Sequence, residues 1–111
     1  MVCGVVSAMV VFVDRHTRAA ISMEAFERGL DLAVREEANA HGACPIDYVI
    51  GPGGLVICVV EAPNAAAVEQ LHADLGLPHP EVMPVPGGLG GRPLSPDDRE
   101  LILRLVGWVT Q

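Results

Sequence analysis

Lysine is absent from this chain of 111 residues: its seven cations are all arginine, set against fourteen acids for a formal net charge of -7. That balance argues against nucleic-acid and anionic-membrane partners, because both need clustered positive charge to displace counterions. The missing lysine, with plentiful Ala, Gly, Pro and Val, reads as genomic base composition and not as chemistry. Cysteine is also sparse. Cys3, Cys44 and Cys58 show no CxxC spacing, so neither a zinc knuckle nor a disulfide framework is expected, and a reducing cytoplasm is the expected location. The apolar run from Met1 to Val13 lacks a basic leader and falls short of the roughly 20 residues of a membrane span, so it is read as a buried strand behind a short leader. There is no internal repeat. The glycine run Gly87-Gly88-Leu89-Gly90-Gly91 does not join a strand directly to a helix, so no nucleotide cofactor is expected.

What is present fits one domain with one core. Val5 to Val13 reads as a strand buried on both faces, ending before Asp14, Arg15 and His16. From Ser22 to Ala40 the spacing of Met23, Phe26, Leu30, Val34 and Ala38 predicts an amphipathic helix, with His41 and Gly42 at its C-terminal cap. Cys44–Ile50 and Leu55–Glu61 predict a hairpin around the Gly51-Pro52-Gly53-Gly54 loop. Asn64 caps a helix to Leu75, with core positions Val68, Leu71 and Leu75 and a stop at Gly76. Pro80–Val85 supplies a fourth strand of sheet-edge character.

The order βαββαβ predicts an α+β, ferredoxin-like domain over residues 1–86, with an antiparallel four-stranded sheet in spatial order 4-1-3-2. Residues 87–111 form a Gly/Pro linker and an extra C-terminal helix. There Ser95-Pro96-Asp97-Asp98 provides the cap, and Leu101, Leu105, Trp108 and Val109 the stripe that packs on this domain or on a partner.

This topology brings polar residues to one edge. The end of strand one, with Asp14 and His16, is expected beside the start of strand four, with His79 and Glu81, while His72 approaches from the second helix. Imidazoles with carboxylates suit nickel, zinc, copper or iron and are too nitrogen-rich for calcium or magnesium. Taken singly, each histidine is more often a surface or satisfied core residue, and Cys58, among Ile57, Val59 and Val60, is more often a small core hydrophobe. As a ligand, Cys58 would need the open face of the sheet, away from the helices, to point toward the site.

Four segments together resemble a family: Phe12-Val13-Asp14-Arg15-His16, the strand Val56 to Pro63, Ala67-Val68-Glu69-Gln70-Leu71-His72, and Glu81-Val82-Met83-Pro84-Val85. They resemble the small nickel-binding ferredoxin-like proteins, long classed as a domain of unknown function. The resemblance implies a homodimer forming an α/β barrel, with a divalent metal such as nickel held by histidines, acids and the strand cysteine. His16 matches the family's Asp-x-His, Cys58 its strand cysteine, Glu61 the acid before Ala-Pro, and His72 its helix histidine; Glu81 matches the last strand's acid loosely. The sequence departs at Cys44-Pro45, at His79 and throughout the tail from Pro86.

Two functions follow as expectations. The first is a non-catalytic protein binding a divalent transition metal through His16, His72, Cys58, Asp14, His79 and Glu81. The second is a small enzyme of the dimeric α/β-barrel type, a cyclase, isomerase or oxygenase. It would act on a small apolar metabolite in a pocket near Asp14 and His16, with Tyr48 as a further acid or base. A third reading makes the C-terminal helix a docking surface for another protein.

Overall fold

The computed structural model describes residues 10–35, 37–77, 81–85 and 94–106. Along them run β1 (Val10–Thr17), α1 (Met23–Arg35), β2 (Cys44–Ile50), β3 (Leu55–Ala62), α2 (Ala65–Leu75), β4 (Met83–Pro84) and α3 (Pro96–Leu105). The sheet order is β2-β3-β1-β4 with every pair antiparallel, which is the expected order and an α+β arrangement compatible with a ferredoxin-like fold. None of the described helices is long and apolar enough to cross a membrane.

The central strand differs most from expectation. It does not stop at Val13 but continues to Thr17, because β3 pairs with it along all eight residues, from Val10↔Ala62 to Thr17↔Leu55. Ladder hydrogen bonds thus carry the strand beyond its apolar run and take Asp14 and His16 into the sheet interior. Alternation sends Phe12, Asp14 and His16 to one face and Val11 and Val13 to the other. Strand β4 is shorter than expected, with Glu81 and Val82 outside it; Pro84 has no N–H to give the ladder. Strand β2 is the opposite edge, where Pro45 is tolerated beside an irregularity in the pairing between Pro45 and Asp47.

Helix α1 starts on Ser22, whose Oγ accepts from the Ala25 amide at 3.1 Å. It ends at Arg35, five residues early. Asn39 explains this: its Oδ1 accepts from the amides of His41 and Ala43, both at 3.0 Å, and its own amide donates to the Ala43 carbonyl. Such local bonds offer the backbone an alternative to the helix. His41 consequently does not cap α1; its Nε2 lies 3.8 Å from Asp74 Oδ2 on α2. The face α1 buries is also shifted. Ala25 and Gly29 are buried, whereas Met23 and Val34 are 56% and 76% exposed. Gly29 allows the close approach, since a Cβ there would meet the Tyr48 hydroxyl.

Helix α2 follows its sequence closely. Asn64 Oδ1 accepts from the Ala67 amide at 2.9 Å, and Gly76 closes the helix at φ 74°. Its core face comprises Ala67, Val68, Leu71, His72 and Leu75.

Helix α3 lies on the other side of the sheet, giving three layers. Ser95 and Asp98 form a capping box with Pro96 in the first turn, as the sequence predicts. Ile102, Val106 and Leu94 pack with Val11, Val13, Val49, Ile57 and Val59, so the helix covers its own chain's sheet. Leu101 is exposed and Ile102 takes the buried position instead; Trp108 and Val109 lie outside the described residues. Arg99 ties α3 to β2 through Asp47 at 2.7 Å.

Cys44 is buried and disulfide-bonded, and Cys58 is the free cysteine among the described residues.

Candidate metal centre

The centre is built on one row of the sheet. The register sets Asp14 of β1 opposite Cys58 of β3, and Cys58 opposite Tyr48 of β2. His16 stands two residues beyond Asp14 on the same face. Over this row lies α2, which lowers His72 onto it one turn after Val68. Asp14, His16, Cys58 and His72 each contribute one donor atom, and these atoms all lie within 4.8 Å of one another.

His72 is held from both sides. Its Nδ1 lies 2.8 Å from the Val68 carbonyl and its Nε2 3.0 Å from Asp14 Oδ1. A carbonyl can only accept, so Nδ1 carries a proton and donates, and Nε2 faces the carboxylate. His16 Nε2 lies 2.5 Å from the same Oδ1, but not in an aligned hydrogen bond. It and Asp14 Oδ2 are therefore buried without a directional protein partner. The two imidazole rings are 5.3 Å apart. Asp14 and His72 are each 1% exposed, and His16 is buried too.

Charge reflects this packing. Burial pushes the Asp14 carboxyl up, but the close approach of the His16 and His72 imidazoles outweighs burial and holds it below the ordinary carboxylate value. Burial pulls His72 down, yet the bond and charge of Asp14 leave it raised. Cys58 is pushed well up, first by burial and then by the Asp14 charge, and Tyr48 is raised by burial and by the charges of Cys58 and Asp14.

Four of the six ligands expected from sequence thus come together. Glu81 is not among the converging donors: it is exposed and borders a hollow that it shares with Asp14, Arg15 and Met83, because the chain at residue 81 has already left the ladder. His79 lies outside the described residues. Cys58 joins the cluster without meeting the condition set for it, that the open face of the sheet point toward the site: it lies on the face under α1 and α2, in the same core layer as Phe12, Val56 and Val60. Parity within β3 against an eight-residue β1 is the signal that could have shown this. Glu61 pairs with Val11 and Cys44, away from the cluster.

The chain matches no family model, no curated protein and no solved structure. The fold and the cluster alone define its class: a small three-layer α+β protein with a buried group of two imidazoles, a thiol and a carboxylate.

Proposed function

We propose that the protein binds a divalent transition-metal ion, nickel or a close neighbour such as zinc, cobalt or copper, at Asp14, His16, Cys58 and His72, and that this role is non-catalytic. The observation that carries the reading is the tautomer of His72. With Nδ1 donating to Val68, neutral His72 turns a lone pair toward a carboxylate that also has only lone pairs to offer. Either a proton or a metal cation relieves that opposition. The cation also serves His16 Nε2 and Asp14 Oδ2, which no single proton does. A backbone carbonyl on the outer nitrogen of a ligating histidine is the usual way such a ligand is oriented.

Two imidazoles, a thiolate and a carboxylate suit borderline ions and not calcium or magnesium. Four protein donors fill a tetrahedral sphere, which marks a holding site, since catalytic sites keep a position open. The cavity reaching Cys58 and His72 measures about 10 Å³, room for about one water molecule. That space is too small for a metabolite, so the cavity beside Cys58 and His72 suits an ion and not a substrate; a larger hollow of about 290 Å³ touches Asp14 together with Val13, Arg15, Glu81 and Met83. The homodimeric barrel implied by the family resemblance would use the sheet face on which α3 packs; a dimer of this chain would have to displace α3 or meet on another surface.

The test is elemental analysis of untagged protein, followed by calorimetric titration with nickel, zinc, cobalt and copper. One ion bound per chain, lost when His16→Ala is combined with His72→Ala, is the expected result. A folded protein that takes up none of the four ions would overturn the reading.

A further inference from the structure

The four donors are buried, so an ion needs a way in. A narrow cleft borders two of them, Cys58 and His72, and is also lined by Gly29, Ala33, Tyr48 and Leu75. It runs between α1 and α2. Its α1 side is lined by the smallest residues available, and Tyr48 stands across it. The phenol of Tyr48 stacks on Phe26, with ring centroids 4.4 Å apart and planes 14° from parallel, and its hydroxyl donates to the Phe26 carbonyl at 3.5 Å. That bond is at the long limit of the range, so the stack holds the ring more than the hydroxyl does. Tyr48 is also the direct cross-strand neighbour of Cys58, so movement of its ring changes the space beside the thiol.

We infer that this cleft is the passage by which the ion enters and leaves the centre, and that Tyr48 is the residue that narrows it. The inference rests on the metal-binding reading. It accounts for two features that the donor set alone leaves unexplained: a glycine where α1 crosses Tyr48, and an aromatic ring held by stacking beside a buried thiol. An ion reaching this end meets Cys58 and His72 first and then the Asp14 carboxylate, whose negative charge favours its passage inward. Closure by a side-chain shift, without helix motion, would make exchange of the ion slow but not prohibitive.

Cobalt(II) is the probe, because its bond to a thiolate absorbs in the near ultraviolet and reports loading directly. Loading of the metal-free full chain and stripping by a chelator are followed by stopped flow for wild type, Ala33→Phe and Tyr48→Ala, each checked for folding by circular dichroism. Ala33→Phe is expected to slow both processes by about tenfold, and Tyr48→Ala to accelerate both by a similar factor. A change shared by loading and release leaves affinity in place, which distinguishes a passage from a ligand. Tyr48→Phe, which keeps the stacked ring, is expected to exchange within about twofold of wild type. If wild type loads cobalt while folded Tyr48→Ala and Ala33→Phe exchange at its rate, the passage is overturned and entry lies at the His16 end of β1. If wild type takes up no cobalt or other ion, the metal reading itself falls, and the passage with it.

Discussion

The two faces of the sheet are built from the same strands and reach opposite ends. Beneath α3, Val11, Val13, Val49, Ile57 and Val59 meet Leu94, Ile102 and Val106 in an apolar layer. Beneath α1 and α2 the layer begins the same way, with Phe12, Val56 and Val60, and then gives one row to Asp14, His16 and Cys58, with His72 above. Apolar burial contributes roughly 25 cal/mol per Å² removed from water, whereas a buried ion pair often does no better than well-packed hydrophobic side chains of similar volume. One face therefore supports the fold, and the other forgoes stability at a single row. The difference locates what selection for stability alone would not have placed there.

Separating the two faces by mutation is the most direct way to break this comparison. His72→Ala removes a donor, and because loss of mere supporting groups around metal ligands costs about 10- to 100-fold, affinity for the ion should fall by more than about a hundredfold. Titration calorimetry measures it. Ile102→Ala, on the α3 face and fully buried, should instead leave affinity unchanged and lower unfolding free energy by about 2 to 5 kcal/mol in urea titrations. A folded His72→Ala protein that binds like wild type, or an Ile102→Ala protein that is folded and cannot bind, would show that the faces are not independent. Next in size is the effect of the ion itself: at a free concentration a hundred times its Kd it should add about 2.7 kcal/mol to wild type and nothing to the His16→Ala, His72→Ala pair. Thermal unfolding with and without nickel reads this difference.

The sheet order and α2 were legible in the sequence because each rests on local signals: β-prone runs, the Asn64 cap, the Gly76 stop and the Val68, Leu71 and Leu75 stripe. What the sequence conceals is set by partners. Asp14 and His16 read as residues beyond a strand because they are polar, and only the full-length pairing with β3 makes them interior. The buried face of α1 is concealed for a related reason. Large residues point to Met23, Leu30 and Val34, whereas the helix buries the small Ala25 and Gly29, with Gly29 against the Tyr48 hydroxyl. The candidate site was legible as a list, since Asp14, His16, Cys58 and His72 all stood on it. Its geometry was not, because the direction of Cys58 depends on register, and the proton on His72 Nδ1 depends on the Val68 carbonyl one helical turn away.

The smallest effect is expected from pH, and its sign separates the two states of the polar row. Asp14 titrates below its ordinary 3.8 in the folded chain, so its contribution to stability is present above that value and is lost as pH falls through the lowered one. His72 titrates above 6.5, so its contribution is complete below 6.5 and is lost as pH rises through the raised value. Metal-free protein should therefore be most stable between about 3.8 and 6.5 as far as this pair is concerned, and weaken on the alkaline side. Ion binding runs the other way. It requires the lone pair of His72 Nε2 and the thiolate of Cys58, whose proton burial holds more tightly than usual, so affinity should climb with pH over the same range in which metal-free stability declines. Urea midpoints of chelator-treated protein and nickel affinities, both followed through pH 6.5 and upward, test the pair of slopes. His72→Gln should flatten the decline in stability while also removing most of the binding. Slopes of the same sign would mean that proton and metal do not compete for His72 Nε2, and the opposition of lone pairs at Asp14 would need another resolution.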